Sequence, residues 1–202
     1  MKTTSRDRQL ADGFNGFWSQ YFGREEDYYG RLTLDGLVSL KRVLGNINNI
    51  ITLKATLNFI DCLLAEKIVS PQQAEEMRRR VEETSANANG FDVCYGGQGG
   101  LRLIAEVKCN IPVKKGRFGA AQEKGIRKDI EALLRGKLKA DVDDVSGYYK
   151  FMAVLDTADS PAREAMRRLI GHHFPDGRVK EYVSGATKVD DTQVVYVVYV
   201  GA

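Results

Sequence analysis

Apolar and polar residues alternate over residues 91–110, on both sides of a glycine-rich segment at 96–100. Alternation with a period of two is typical of a half-buried β-strand, and two such runs joined by glycines are typical of a β-hairpin. The apolar face of the second run holds Leu101, Leu103, Ala105, Val107 and Cys109. The opposite face carries Arg102, Ile104, Glu106, Lys108 and Asn110. We predict a hairpin whose first face packs against a core.

Apolar residues elsewhere recur every three to four positions, which is typical of amphipathic helices. They predict helices over residues 14–22, 37–43, 50–67, 71–85, 119–134 and after 160–161. Ser70, Pro71 and Gln73 form the pattern of a capping box with proline in the first turn. Continuous apolar runs at 148–155 and 194–200 predict buried strands, and 179–183 predicts a shorter one.

The pairing of the hairpin decides which polar residues meet. If Tyr95 pairs with Leu101, Asp92 pairs with Ile104 and lies diagonal to Glu106 on the same face. A slip by one residue would move Asp92 to the opposite face. The first register is favoured because it groups the apolar residues of both runs. The buried face of the first run is then expected to hold Phe91, Val93 and Tyr95.

We therefore expect Asp92, Glu106 and Lys108 to converge, and this combination has a specific chemistry. Two carboxylates bind Mg²⁺ through hard oxygen atoms and leave room for water and a phosphate oxygen. The lysine can orient or deprotonate the water, or stabilise developing negative charge. The simpler alternative is that Glu106 and Lys108 form a solvated ion pair on an exposed sheet face.

These residues resemble the PD-(D/E)xK nuclease superfamily, whose pattern is an Asp in one strand followed by Glu/Asp-x-Lys in the next. Here Asp92 is followed, after thirteen residues, by Glu106, Val107 and Lys108. Phe91 stands where the family pattern has proline. The resemblance covers roughly residues 70–156. It implies an α/β fold with a central mixed β-sheet flanked by helices, called restriction-endonuclease-like, and an N-terminal helical layer.

The resemblance also implies an activity. It indicates a Mg²⁺-dependent DNA endonuclease of restriction or repair type, with Mn²⁺ as a substitute and a homodimer as one arrangement. Asp92, Glu106 and the carbonyl of Val107 would bind the metal, and Lys108 would act on the water or the transition state. Gln122, at the start of the next helix, would serve the site. A helix glutamate would add a ligand, and the sequence does not choose among Glu75, Glu76, Glu82 and Glu83.

Charge distribution bears on the partner. The net charge is only +3, but basic residues dominate the segment after Lys108. Such a cationic stripe suits a phosphate backbone, and a solvated helix face explains it equally well. The candidate nucleic-acid contacts are Lys114, Lys115, Arg117 and Lys124.

Composition sets the remaining expectations. With 43% hydrophobic and 28% charged residues the chain matches soluble globular proteins, and it has no apolar run long enough for a membrane span and no secretory signal pattern. Three cysteines without a CxxC pair favour a reducing cytoplasm over a zinc site. We predict a helical extension over residues 1–69 that packs on a core at 70–202. The alternatives are a non-catalytic nucleic-acid-binding or assembly protein, and a nuclease for RNA or branched DNA.

Overall fold

The computed structural model describes residues 5–85, 90–96, 100–113, 116–137, 142, 144–158 and 161–201. Two compact units divide the chain at Ile47, and residues 48 onward form the larger one. The first unit contains α1 (Arg6–Phe22) and α2 (Leu34–Leu44). The Ser5 side chain caps α1 by accepting from the amide of Arg8, and Gly23 ends it in the left-handed conformation.

The larger unit alternates helices and strands. The helices are α3 (Ile47–Ala65, beginning at the boundary), α4 (Pro71–Glu83), α5 (Ala120–Arg135) and α6 (Arg163–His173). The strands are β1 (Val93–Gly96), β2 (Arg102–Lys108), β3 (Tyr149–Leu155), β4 (Val179–Glu181) and β5 (Val195–Val200). The capping box predicted for α4 is present, since Ser70 and Gln73 exchange hydrogen bonds between side chain and backbone. None of the helices in these described segments is long and apolar enough to cross a membrane.

The described strands form one mixed sheet in the order β1-β2-β3-β5-β4. β1 runs antiparallel to β2, whereas β2, β3, β5 and β4 pair in parallel. The prediction of an α/β fold with a central mixed sheet and flanking helices is thus confirmed. The parallel strands end together at one edge of the sheet, with Lys108 level with Val154.

Two apolar clusters cover the two faces of the sheet. The first joins α3 and α4 to Leu103, Ala105 and Val107 of β2, and the second joins α5 and α6 to Ile104. Alternation along β2 therefore directs its odd-numbered side chains to α3 and α4, and its even-numbered ones to α5 and α6. The face predicted to be apolar is buried as expected, and Glu106 and Lys108 face the α5 side.

The hairpin register differs from the predicted one by two residues. Tyr95 pairs with Leu103 rather than Leu101, and Val93 pairs with Ala105. A shift by an even number keeps every side chain on its predicted face. A second correction concerns Phe91, which precedes β1 and packs with the second cluster instead of sharing the face of Val93.

Candidate functional site

Glu106 lies near the carboxyl end of β2, where parallel strands commonly place functional groups. Its side chain is buried, with 4% of the residue exposed. Its neighbour across the parallel ladder is Met152 of β3. A carboxylate in such surroundings costs free energy unless it is paired, so its partners define what the site can do.

Asp92 comes directly before β1 and reaches across to β2. Its Oδ2 accepts a hydrogen bond from the amide of Val107 at 2.7 Å. The residue itself is exposed, in contrast to Glu106. The corrected register brings Asp92 level with Glu106 instead of diagonal to it, because Val93 already pairs with Ala105. The structure therefore brings the two predicted carboxylates together at the solvent edge of a buried site.

The two carboxylates influence each other electrostatically. Burial, followed by the negative charge of Asp92, raises the pKa of Glu106 to about 7, and the opposing effect of the Lys137 ammonium does not cancel it. Burial and the neighbouring carboxylate therefore both disfavour the charged form of Glu106.

One cation already lies at Glu106. The Nζ of Lys137 forms an ion pair with Glu106 Oε1, donates a hydrogen bond to the carbonyl of Gly90 at 2.5 Å, and lies 4.9 Å from the centre of the Phe91 ring. The contact with Oε1 is an ion pair without hydrogen-bond alignment, so this buried oxygen has no aligned donor among the described residues. Glu106 is thus neutralised in charge but incompletely satisfied in hydrogen bonding.

Lys108 has a different partner. Its Nζ forms an ion pair with Asp129 Oδ2 of α5, and both side chains are largely buried. Burial alone would lower the pKa of Lys108, but the Asp129 carboxylate, with Glu106 and Asp92, outweighs burial and raises it above the ordinary value. Lys108 is therefore held as an ammonium group beside the two carboxylates.

Gln122 is placed at the first turn of α5, as predicted, and both ends of its amide contact backbone. Its Oε1 accepts from the amide of Gly119 at 2.9 Å, and its Nε2 donates to the carbonyl of Ile111 at 3.0 Å. These bonds join the start of α5 to the segment that follows β2. The structure gives Gln122 a positioning role for that segment.

The glutamates of α4 lie on a helix that packs on the opposite face of the sheet from Glu106. Glu76 pairs with Arg80 and accepts a hydrogen bond from the Tyr95 hydroxyl, while Glu75 and Glu83 pair with Arg78 and Arg79. Their carboxylates stabilise the helix surface through pairs three or four residues apart.

The structure describes two of the four residues predicted to contact nucleic acid. Arg117 and Lys124 are exposed, and Lys114 and Lys115 fall outside the described residues. Arg117 also lines a cleft between the start of α5 and α6, together with Arg168 and His172. Nearby, Nε2 of His173 lies 2.5 Å from Glu123 Oε1. Acidic groups already accompany these basic ones, since Arg168 pairs with Glu164 and His173 contacts Glu123, so the surface does not indicate an anion site.

The donor set accommodates a divalent ion through few protein ligands. In the part of the chain that the structure describes, no three His, Cys, Asp or Glu side chains are arranged as a metal site. Asp92 and Glu106 offer carboxylate oxygens, Glu106 Oε1 lacks an aligned donor, and the nearby Asp129 carboxylate is held by Lys108. Two carboxylates with water completing the shell are a known way to hold Mg²⁺, so the residues fit this ion.

Sequence reasoning missed Asp129 and Lys137. Asp129 is spaced three and four residues from the buried Ile126 and Leu133, and this spacing could have placed it at the edge of the packed face of α5. Lys137 follows Gly136, beyond the helix, where no periodicity predicts the direction of a side chain. Its contact with Glu106 was not readable from the sequence.

Comparisons with protein-family models, curated proteins and solved structures found no match for this chain.

Proposed function

We propose that this chain is a metal-dependent nuclease that hydrolyses phosphodiester bonds in DNA, on a fold of the restriction-endonuclease-like type. The observation that carries the proposal is the meeting of Asp92 and the buried Glu106 at the end of β2, beside the Lys108 ammonium. The mixed sheet with helices on both faces agrees with such a fold.

Asp92 and Glu106 are the proposed metal ligands, with the Val107 carbonyl as a further one. A bound Mg²⁺ or Mn²⁺ would supply Lewis-acid activation of a water molecule and of a phosphate oxygen. The amide of Val107 holds the Asp92 carboxylate against β2, which fixes its direction relative to Glu106. This preorganisation reduces the reorganisation needed when a cation binds.

Lys108 is proposed to act as a fixed positive charge. Because Asp129 and the site carboxylates raise its pKa, it stays protonated and can donate hydrogen bonds to a phosphate oxygen or to the attacking water. Asp129 then acts through Lys108 as a positioning residue, since the ion pair sets where the ammonium lies. Arg117 and Lys124 would contact the phosphate backbone. Gln122 would hold the segment that follows β2 against the start of α5.

A specific observation favours a second candidate, a non-catalytic nucleic-acid-binding protein on the same fold. Both charged residues of the Glu-x-Lys pattern have intramolecular partners, Lys137 for Glu106 and Asp129 for Lys108. A site neutralised in this way can serve stability alone. Binding would then come from the exposed basic residues and would weaken steeply with salt.

The test compares the wild-type protein with Asp92→Asn, Lys108→Gln and Lys180→Gln. Asparagine keeps an oxygen for the Val107 amide. Lys180 is an exposed lysine of β4, at the edge of the sheet opposite the hairpin, and its substitution is the control for loss of one positive charge. Cleavage of supercoiled plasmid, linear DNA, branched DNA and RNA is measured with Mg²⁺, with Mn²⁺ and with EDTA. We expect metal-dependent DNA cleavage that falls by about a hundredfold or more in the first two variants.

The Lys180→Gln control should cut like the wild type, and circular dichroism should show all four proteins folded. Cleavage that persists in EDTA, or at the wild-type rate in Asp92→Asn, would contradict the proposal. A folded wild type that binds DNA with a steep salt dependence and cuts nothing would support the second candidate.

A further inference from the structure

The ammonium of Lys137 lies among groups that suit a metal ion as well as an amine. It contacts a carboxylate oxygen of Glu106, a backbone carbonyl oxygen of Gly90 and the face of the Phe91 ring. Carboxylate and carbonyl oxygens are hard ligands, which Mg²⁺ and Ca²⁺ prefer. The ring adds an attraction specific to a cation near its face.

The backbone at the end of α5 places Lys137 there. Gly136 ends α5 with φ 93° and ψ 166°, and its amide donates to the carbonyl of Ala132. This conformation is essentially restricted to glycine and redirects the chain directly after the helix. The residue that follows the turn is the one whose ammonium reaches the buried carboxylate.

We propose that Lys137 is a tethered cation that occupies the divalent-metal position on Glu106, so that metal binding requires its ammonium to leave. The inference rests on the proposed metal site and adds a competitor within the same chain. Lys108 is not the competing cation, because Asp129 of α5 holds its ammonium.

Electrostatic repulsion prevents the Lys137 ammonium and a metal ion from occupying the position on Glu106 at the same time. Glu106 is buried, so a second positive charge beside Lys137 would be repelled with little screening by water. Departure of Lys137 also gives up its contacts with Gly90 and Phe91. The affinity measured for a metal is therefore its intrinsic affinity reduced by the free energy of expelling the lysine.

The experiment measures metal binding directly and does not depend on cleavage. Binding of Mn²⁺ is followed by electron paramagnetic resonance and of Ca²⁺ by calorimetry, at fixed pH and ionic strength. The proteins are the wild type, Lys137→Met, Lys137→Gln and Glu106→Gln, with Lys128→Met as the charge-matched control. Methionine is an unbranched side chain without charge, one heavy atom shorter than lysine. Glutamine is uncharged and carries an amide donor, whose nitrogen lies one atom nearer the backbone than the lysine Nζ.

We expect both Lys137 variants to bind Mn²⁺ and Ca²⁺ at least tenfold more tightly than the wild type. Lys128→Met should bind within about twofold of the wild type, because loss of one exposed charge is screened. Glu106→Gln should abolish binding. Tighter binding in a protein that cuts no nucleic acid would support this inference and contradict only the proposed nuclease activity.

A second measurement uses the wild type alone, in case the variants do not fold. The acylation rate of Lys137 by an amine-reactive ester, read by peptide mass spectrometry, should rise severalfold when Ca²⁺ is added, while that of Lys128 stays constant. Unchanged metal affinity in the folded Lys137 variants, or an unchanged acylation rate at saturating Ca²⁺, would overturn the inference and leave the metal site standing. Absence of metal binding in every protein would overturn both.

Discussion

At the scale of single residues, the surroundings of Glu106 disfavour its charged form. The fold buries its carboxylate, sets Asp92 beside it and supplies one lysine that does not align with its Oε1. A purely structural position would favour a neutral side chain, because an imperfectly paired buried charge lowers stability. A binding function would explain why a charged side chain stands at this position although it lowers stability.

This cost predicts a pH dependence in metal-free protein. The pKa of Glu106 is raised to about 7 in the fold, from an ordinary value near 4.5. Between these values the folded state binds more protons than the unfolded state, so stability falls as the pH rises. Replacement by glutamine removes this penalty. The stability of Glu106→Gln relative to the wild type should therefore increase as the pH is raised from 5 to 8, by on the order of 3 kcal/mol over this range.

The measurement is urea unfolding in EDTA at several pH values. Glu131→Gln, an exposed substitution on α5, is the control and should show a difference from the wild type that changes little over this range. The prediction fails if the difference between Glu106→Gln and the wild type is independent of pH.

The sequence predicted that Asp92, Glu106 and Lys108 share one face of the hairpin, because alternation along each strand and the register that groups the apolar residues assign them to it. It did not predict their partners. Asp129 and Lys137 come from a helix and a turn far along the chain, and their contacts depend on how α5 packs on the sheet. Distances between elements are not encoded in local periodicity.

At the scale of elements, α5 organises the candidate site. Its first turn is joined to the segment after β2 by Gln122, its middle supplies Asp129, and its end delivers Lys137. Its buried side, with Ile126 and Ile130, packs on the sheet and fixes all three positions. A small change in how this helix ends should therefore be felt at Glu106.

Gly125 within α5 and Gly136 directly after it allow a matched test, in which the same substitution should have opposite effects. A Cβ at Gly125 meets nothing within 4 Å, so Gly125→Ala should stabilise the helix by up to about 1 kcal/mol. Gly136 has a φ of 93°, where alanine is strained, so Gly136→Ala should cost roughly 1–3 kcal/mol. Thermal or urea unfolding of both variants checks the signs. Equal effects of the two substitutions would count against the role assigned to Gly136.

The elements themselves were largely predictable, and the register of the hairpin was not. Helix spacing and the cap at Ser70 located α4, and continuous apolar runs located β3 and β5. Between the two hairpin strands, several glycines permit turns of different length. Registers that differ by two residues bury the same faces, so hydrophobic pattern alone could not separate Tyr95–Leu103 from Tyr95–Leu101.

At the scale of the whole molecule, the sheet and its two clusters belong to one unit. The buried members of both clusters lie between Ala55 and Val200, within the larger unit. The sequence predicted a helical extension up to residue 69, whereas α3 contributes Phe59, Ile60 and Leu63 to the first cluster. The hydrophobic pattern of α3 predicted a buried helix without indicating which layer it would join.

A fragment of residues 46–202 is therefore expected to fold cooperatively, since it keeps every buried residue of both clusters. Its thermal unfolding should be a single cooperative transition, because the fragment retains the apolar residues of both clusters. Calorimetry of the fragment makes the measurement. A shorter fragment that starts at residue 70 lacks α3, and it should lose cooperative unfolding.

The strand order has a consequence for folding during translation. Among the described strands, β4 pairs with β5 alone, although β4 precedes it in the sequence. β3 pairs with β2, which is synthesised before it, and with β5, which is synthesised after it. During translation β3 therefore keeps an edge of unpaired backbone N–H and C=O groups until β5 is synthesised and pairs with both β3 and β4. That interval is when a nascent chain of this topology most needs protection by a chaperone.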